Sequence, residues 1–147
     1  MEKAVVRGSC LCGGIQFELT GVVGPFELCH CSRCRKSSGS AFMAAVSVRS
    51  EGFRYLCGRE LVRSYELPVR DEPPAYSRIF CGRCGCIVPE PDPQSEVFEI
   101  AAGLLDDDPK LRPERHILIE HKAPWTDIQD DLPQLDRVAL LQLRGHE

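Results

Sequence analysis

Apolar and polar residues alternate in several short stretches of this chain, which is the period-two pattern of half-buried β-strands. The segment "IQFEL" at residues 15–19 is the clearest case, since every second residue is apolar. Five further segments are predicted as strands: "AFMAAVSV" (41–48), "LVRSYEL" (61–67), "AYSRIF" (75–80), "VFEIAAG" (97–103) and "HILIEH" (116–121). Glycine and proline clusters between them predict turns: "GVVGP" (21–25), "RDEPP" (70–74) and "PEPDP" (89–93).

Short strands separated by turns at this density predict a mainly β fold. The pattern favours a helix in one place, "LPQLDRVALLQLRGH" at residues 132–146, where a last strand or a frayed tail are the alternatives. We find no repeat, low-complexity block or long linker, so we expect a single domain.

Length and charge narrow the functional classes. A chain of 147 residues suits one domain with its own core. The net charge of −4 argues against nonspecific binding to nucleic acid or to anionic membranes. No apolar run approaches the roughly 20 residues of a membrane span. The N-terminal "MEKAVVRGSC" lacks the apolar core of a secretory signal, so the expected location is the cytoplasm.

Cysteine is the unusual component of this composition, with nine residues. Disulfides are disfavoured in reducing compartments, where clustered cysteines more often bind metal or take part in catalysis. An odd number of cysteines also cannot pair completely within one chain. The cysteine pattern therefore favours metal binding over a disulfide framework.

Two short-spaced cysteine pairs have the form of a zinc site. Residues i and i+2 of an extended segment project from the same face, so Cys10 and Cys12 can point at one ion. "CGRCG" contributes Cys81 and Cys84, and its glycines allow a turn that directs N–H groups at the sulfurs. Together the four cysteines predict a closed, tetrahedral structural zinc site. Burial as apolar core cysteines is the alternative.

A third cluster, in "ELCHCSRCRKSSGSAF", has three cysteines. Cys29 and Cys31 share a face, His30 points away, and Cys34 can return across the turn "SRC". Three protein ligands and an open position are typical of catalytic zinc. The alternative is a second closed site, whose fourth ligand is Cys57, Cys86, His116 or His121.

Basic residues surround the three-cysteine cluster in an otherwise acidic protein. Arg33, Arg35 and Lys36 can offset thiolate charge and can bind the carboxylates of an anionic ligand. The alternative is a solvated basic turn.

Four sequence blocks resemble successive blocks of the glutathione-dependent formaldehyde-activating enzyme family, which includes the centromere protein V domain. The resemblance runs from about residue 8 to residue 133, so we expect a domain at residues 1–133 and a C-terminal tail of uncertain structure at residues 134–147. The blocks are "GSCLCGGIQFEL" (8–19), "CHCSRCRKSSGSAF" (29–42), "FCGRCGCIV" (80–88) and "PERHILIEHKAPWTDIQDDLP" (113–133).

The resemblance implies a zinc-bound β-tent of packed antiparallel sheets. It implies a structural zinc on Cys10, Cys12, Cys81 and Cys84. It also implies that Cys29, Cys31 and Cys34 correspond to the family's second, three-cysteine zinc site, the one associated with activity. Cys86 stands where such proteins commonly carry a small residue such as serine or threonine.

The reaction that the resemblance implies joins the thiol of glutathione to formaldehyde, giving S-hydroxymethylglutathione, and belongs to the carbon–sulfur lyases. A free thiol of pKa about 8.5 is only a few per cent ionised at pH 7, so full ionisation accelerates attack at most roughly 30-fold, about 2 kcal/mol. Orientation of thiol and carbonyl in one pocket can contribute more. The expected partners are a small thiol and an aldehyde, and a homo-oligomer is left open.

The competing hypothesis is a noncatalytic zinc module that binds a protein or nucleic-acid partner, although the acidic balance counts against nucleic acid. Two single residues are assigned to packing: Cys57 in the interior, and Trp125 beneath a loop. His121 is expected at the surface or at a strand end.

Overall fold

The computed structural model of the protein describes residues 4–67 and 76–145. The described residues form a mainly β fold, as predicted from the period-two pattern. The predicted turn "RDEPP" (70–74) lies outside the described residues. The strands are β1 (Val5–Ser9), β2 (Gln16–Thr20), β3 (Val22–Cys29), β4 (Met43–Arg49), β5 (Phe53–Cys57), β6 (Val62–Leu67), β7 (Tyr76–Cys81), β8 (Val97–Ala101), β9 (Arg115–Ile117) and β10 (Gln134–Leu135), and the helices are α1 (Ser32–Ser38) and α2 (Arg137–Leu143).

Each of the six predicted strand segments overlaps a strand of the structure, although "HILIEH" (116–121) ends in a 3₁₀ turn at Ile119–His121. The prediction of a turn at "GVVGP" was wrong, because β3 begins at Val22 and runs through it. Its pairing with β4 shifts register between Val22 and Phe26, so this strand accommodates a glycine and a proline at an irregularity.

The strands form a three-stranded sheet of order β1-β2-β5, a five-stranded sheet of order β10-β9-β3-β4-β8 and the two-stranded pair β6-β7. Most neighbours are antiparallel, as expected. The five-stranded sheet is nevertheless mixed, because β9 pairs in parallel with both β3 and β10. Parallel pairing allows the chain to return to β3 after a long excursion and so brings the C-terminal segment to this sheet.

The main core lies between the three-stranded and five-stranded sheets. Phe17 and Leu19 of β2 are completely buried, and so are Val46 and Val48 of β4. They belong to one hydrophobic cluster with Phe26 and its neighbours in β3. This core occupies one face of the five-stranded sheet. The opposite face of that sheet is available for a site.

Helix α1 was not predicted from the sequence, which indicated only a turn at "SRC". None of its seven residues is buried, so the helix has no apolar face and its sequence shows no helical hydrophobic pattern. It is fixed at its ends instead. The Cys31 sulfur accepts the backbone N–H of Cys34 at the start, and Gly39 adopts the left-handed conformation, φ 67°, at the end.

Helix α2 confirms the helix expected after Pro133. Asp136 caps its first turn by accepting the backbone N–H of Ala139 at 2.8 Å. Leu140 is buried against Cys29 and Ile117, so the C-terminal segment packs on the five-stranded sheet. No helix of the described residues is long and apolar enough to cross a lipid bilayer.

Two packing assignments were wrong. Trp125 is 70% exposed rather than packed beneath a loop. Cys57, at the end of β5, is exposed rather than interior. Both were assigned from residue type alone, which is a weak guide for a single side chain.

Candidate functional site

Cys10, Cys12, Cys81 and Cys84 form one cluster, the four-cysteine cluster, with their sulfurs within 4.8 Å of one another. The Cys10 and Cys12 sulfurs are 3.6 Å apart, and those of Cys12 and Cys81 are 3.9 Å apart. Zn–S bonds of about 2.3 Å at tetrahedral angles place sulfurs about 3.8 Å apart. The cluster therefore has the donor set and the spacing of a tetrahedral metal site.

Two tight turns build this cluster, one after β1 and one after β7. In the first, the Cys10 N–H donates to the Ile15 carbonyl at 3.0 Å, and Gly13 has a positive φ of 75°. In the second, the Cys81 N–H donates to the Cys86 carbonyl at 2.8 Å, and Gly85 has a φ of 77°. Each turn thus spans six residues and contains a glycine that tolerates the left-handed conformation.

Backbone N–H groups in both turns donate to cysteine sulfurs. Ile15 donates to Cys10 at 3.3 Å, Gly14 to Cys12 at 3.4 Å, and Arg83 to Cys81 at 3.4 Å. A hydrogen bond from the backbone of Cys86 lowers the pKa of Cys84 to about 6. Hydrogen bonds of this kind stabilise the thiolate form that metal ligation requires.

Cys29, Cys31 and Cys34 form the second group, the three-cysteine cluster, whose sulfurs also lie within 4.8 Å of one another. Cys29 ends β3, Cys31 is the N-cap of α1, and Cys34 lies in the first turn of that helix. A strand end followed at once by a capped helix brings residues i, i+2 and i+5 together. The Cys34 N–H donates to the Cys31 sulfur at 3.3 Å.

The three thiols share charge unequally. Hydrogen bonds from Cys29 and then from Cys34 hold the pKa of Cys31 well below its usual range. The pKa of Cys34 is raised by the same contacts with Cys29 and Cys31. A thiolate held by two thiols is an arrangement that a cation stabilises further.

His30 lies outside the three-cysteine cluster, as expected. Its ring is 1% exposed, and its Nε2 is 2.8 Å from Nδ1 of His116. The Nε2 of His116 is 2.9 Å from the Asp130 carboxylate. His30 therefore connects the strand end at Cys29 to the loop that carries Asp130.

The side chains considered as a fourth ligand lie elsewhere. Cys57 contacts the Gly14 carbonyl at 3.7 Å, beside the four-cysteine cluster. Cys86 contacts the Ile87 carbonyl, His116 is bonded to His30, and His121 is exposed beside Glu120. Within residues 4–67 and 76–145, no further cysteine, histidine, aspartate or glutamate joins the three-cysteine cluster.

The three-cysteine cluster lies in the wall of a cavity of about 490 Å³. The floor of the cavity is the face of the five-stranded sheet that points away from the core. Residues directly opposite each other in a sheet share a face, and Cys29 lies opposite both Met43 and Ile117. Two residues earlier, Glu27 lies opposite Ala45, which is opposite Ala101 in β8. All of these residues line the cavity.

Other elements close the remaining sides. Helix α1 contributes Arg33, β7 contributes Tyr76 and Ile79, α2 contributes Leu140, and Arg144 follows at the C-cap of α2. A cavity of this volume, mostly apolar with a few charged groups, is the usual form of a small-molecule site.

Arg78 connects the two cysteine clusters. Its guanidinium donates to the Ser37 carbonyl at the end of α1 at 2.7 Å and to the Gly85 carbonyl at 3.3 Å. One side chain of β7 thus fixes the helix of the three-cysteine cluster to a turn of the four-cysteine cluster.

The three predicted basic residues are placed differently. Arg33 lines the cavity, with its guanidinium 5.7 Å from the centre of the Tyr76 ring. Arg35 and Lys36 do not line it, and Lys36 is exposed. In a seven-residue helix, three neighbouring side chains point in different directions.

Sequence reasoning missed four charged residues of the cavity, which are Glu27, Glu90, Glu99 and Arg144. The period of two in β3 was a usable signal for Glu27, because it places Glu27 on the same face as Cys29. Glu99 and Arg144 had no such signal, since they reach the cavity through long-range pairing.

Comparisons with known proteins agree with this geometry. The model of the family described as "Glutathione-dependent formaldehyde-activating enzyme" matches residues 5–121. A relative from Halomonas elongata, named "Putative glutathione-dependent formaldehyde-activating enzyme", is 30% identical over 128 residues, 85% of this chain and 82% of the relative. The crystal structure of a Rhodobacter sphaeroides protein has a TM-score of 0.53 and 23% identity, covering 70% of this chain and 91% of that one. At that identity the likeness shows the fold alone.

Both cysteine clusters lie inside the matched segment, whereas α2 lies beyond it. The match covers most of the chain, and the sequence blocks that suggested the family carry the cysteines that the structure brings together. The chain belongs to the glutathione-dependent formaldehyde-activating enzyme family.

Proposed function

We propose that the protein is a cytoplasmic zinc enzyme of the carbon–sulfur lyase class, which adds glutathione or a similar thiol to formaldehyde or another small aldehyde. The observation that carries this proposal is the placement of the three-cysteine cluster in the wall of a ligand-sized cavity. Family membership and the name of the Halomonas elongata relative support the choice of substrates. The nine free cysteines agree with a reducing compartment.

Zinc fits both clusters better than harder metals, because every candidate ligand is a thiol. Cys10, Cys12, Cys81 and Cys84 would hold a structural ion with four protein ligands. Cys29, Cys31 and Cys34 would hold a second ion with three. When bound, that ion would supply Lewis acidity, which lowers the pKa of a nearby thiol or polarises a carbonyl oxygen.

The side chains of the cavity would orient the thiol and the aldehyde and exclude water from them. Met43, Ala45 and Ile117 form an apolar floor beside Cys29, and Ile79 faces them from β7. A thiol and an aldehyde confined together on this floor react as neighbours, and well-oriented pairs reach effective concentrations of about 10⁵ M or more. Arg33, over the Tyr76 ring, adds positive charge near the cluster, which favours an ionised thiol.

The proposed addition balances without another reactant. The S–H bond of the thiol breaks, a C–S bond forms at the carbonyl carbon, and the carbonyl oxygen gains the proton. The product is a hydroxymethyl thioether, and the reverse reaction is its cleavage.

The test is the rate of exchange between free formaldehyde and S-hydroxymethylglutathione, followed by NMR in the presence of the zinc-loaded protein. We expect exchange well above the spontaneous rate, and we expect Cys57→Ala to match the wild type because Cys57 joins neither cluster. If the protein raises the exchange rate above the spontaneous rate for no pair of thiol and aldehyde, the enzyme proposal fails, and the noncatalytic zinc module is favoured.

A further inference from the structure

Beyond the three-cysteine cluster, the cavity carries a group of charged side chains that consists of Glu27, Glu99 and Arg144. Glu27 is 2% exposed and accepts a hydrogen bond from Arg115 and one from Arg144, each at 2.7 Å. Arg115 also lies 3.9 Å from the Glu114 carboxylate, so its charge is shared between two carboxylates, whereas Arg144 pairs with Glu27. Arg144 lines the cavity and is 39% exposed, so further N–H donors of its guanidinium are accessible from within the cavity.

Glu99 is the second carboxylate of this group. It lies on β8 opposite Ser47, on the cavity face of the sheet, and its side chain is accessible. Neighbouring groups nevertheless surround it closely enough for burial to raise its pKa, while the charge of Arg144 opposes that shift. Glu99 forms no hydrogen bond or ion pair with the other described side chains. Its carboxylate is therefore available to a ligand, beside the Arg144 guanidinium, which has further N–H groups to donate.

The position of Glu99 relative to the cysteines sets the length of a ligand. Cys29 lies opposite Met43 and Glu99 opposite Ser47, which is four residues further along β4. Four residues of antiparallel strand span about 14 Å, and the two strand spacings add about 10 Å across the sheet. The two components place the Cα atoms of Cys29 and Glu99 about 17 Å apart, a distance that the two side chains and a peptide-length thiol of about 10 Å can bridge and a two-carbon thiol cannot.

Resting on the proposed thiol addition, we propose that Glu99 and Arg144 form a head-group site that selects a peptide-length thiol with a free α-amino-acid end. The ammonium of that end binds the Glu99 carboxylate, and its carboxylate binds the Arg144 guanidinium. The small side chains of Ala45 and Ala101 leave the floor open between the two ends of the ligand. Arg144 follows α2 and lies beyond the family match at residues 5–121, so the C-terminal segment sets the thiol specificity.

A purely structural role is the rival interpretation. Arg144 would then serve only to fix α2 to the sheet through Glu27, and its loss would weaken all ligands alike. Substitution of Arg115 distinguishes the two roles, because Arg115 also donates to Glu27 but does not line the cavity. A structural role predicts similar effects for Arg115 and Arg144, and a ligand-binding role predicts an effect for Arg144 alone.

The experiment is a calorimetric titration of the zinc-loaded protein with S-methylglutathione, which cannot react because its sulfur is alkylated. We expect Glu99→Gln and Arg144→Gln each to weaken binding about tenfold or more, because each removes a charge-assisted contact. The matched controls are Glu96→Gln, at the residue before β8, and Arg137→Gln, at the start of α2. Neither control residue lines the cavity, so both controls should bind within twofold of the wild type.

Two modified ligands make the test independent of folding. The N-acetyl form of S-methylglutathione lacks the ammonium, and the amide of its γ-glutamyl α-carboxylate lacks the negative charge. Wild-type protein should bind each about tenfold or more weakly than the parent compound. Glu99→Gln should no longer distinguish the N-acetyl form from the parent, as expected for a direct pair in a double-mutant cycle.

The head-group site is overturned if the wild type binds the three ligands equally or does not bind S-methylglutathione. It is also overturned if Glu99→Gln still discriminates against the N-acetyl form, or if Arg115→Gln weakens binding as much as Arg144→Gln. Failure of the proposed function looks different: S-methylglutathione binds with the expected selectivity, but formaldehyde exchange stays at the spontaneous rate.

Discussion

The two cysteine clusters use the same ligand type and differ in what they connect. The four-cysteine cluster joins a turn after β1 to a turn after β7, about 70 residues apart along the chain. The three-cysteine cluster comes from a single stretch of six residues, Cys29 to Cys34. A metal held by the first cluster closes a long loop, whereas a metal held by the second adds little constraint to the chain.

The two clusters also differ in their surroundings. Cys10 and Cys81 are 4% and 0% exposed and pack against Ile15 and Val88 in a hydrophobic cluster of their own. Cys12 is exposed and Cys84 partly buried, but none of the four cysteines lines the cavity. All three members of the three-cysteine cluster line it. We therefore assign stability to the four-cysteine cluster and chemistry to the three-cysteine cluster, and four variants or treatments follow that test this division.

The largest effect is expected for Cys84→Ala, which removes one ligand of the four-cysteine cluster. Loss of a structural metal is among the few changes that cost more than about 4 kcal/mol of the free energy of unfolding. Thermal unfolding followed by circular dichroism, together with a count of bound zinc, measures the effect. Cys57→Ala is the control, since an exposed cysteine outside both clusters should change stability by less than about 0.5 kcal/mol.

Metal removal should occur in two stages. An ion held by three cysteines leaves a position that a chelator can occupy, whereas four sulfurs surround the other ion, so the first metal should leave with the circular dichroism spectrum unchanged. The second should leave only as the protein unfolds. Zinc release and ellipticity recorded in one titration check the order, and a single stage in which both metals leave with unfolding would refute the division.

A smaller effect is expected for His30→Leu. This substitution leaves the buried Nδ1 of His116 without its partner at 2.8 Å, which costs about 1–3 kcal/mol. Bound zinc should remain at the wild-type count, because His30 is not a ligand. A lower zinc count in a folded variant would show that His30 takes part in the three-cysteine cluster.

The smallest effect is expected for Arg78→Ala, which removes the bonds from β7 to the Ser37 and Gly85 carbonyls. The loss should be about 1–2 kcal/mol, since the contacts are charge-assisted but partly exposed. Urea unfolding measures it. Arg63→Ala, on the neighbouring strand β6, is the control, because Arg63 donates only to the nearby carbonyls of Glu60 and Val62 among the described residues.

The contrast between the clusters explains how much the sequence predicted. The cysteine groups of both clusters were recognised because the members of each group are close in sequence, and short spacing alone restricts where their sulfurs can point. The mainly β fold was predicted from the alternation of apolar and polar residues with a period of two. Helix α1 was missed because a cap at Cys31 and a glycine at residue 39 hold it, and neither leaves a hydrophobic period.

The positions of elements that are distant in sequence but meet at the cavity could not be predicted. The parallel pairing of β9 with β3 and β10 brings α2 to the cavity, and no local pattern of residues 132–146 indicates that neighbour. Glu99 and Arg144 therefore have no local sequence signal that would mark them as cavity residues. Their role depends on register between strands that are far apart in the chain.

The most direct test of the central claim is the formaldehyde exchange rate of Cys34→Ala. Alanine is compatible with the first turn of α1, and no distant segment depends on Cys34 as a ligand. We predict a folded protein that retains one zinc and exchanges S-hydroxymethylglutathione at the spontaneous rate, while Cys57→Ala retains the wild-type rate. A folded Cys34→Ala protein with the wild-type exchange rate, or one that unfolds as Cys84→Ala does, would contradict the assignment of chemistry to the three-cysteine cluster.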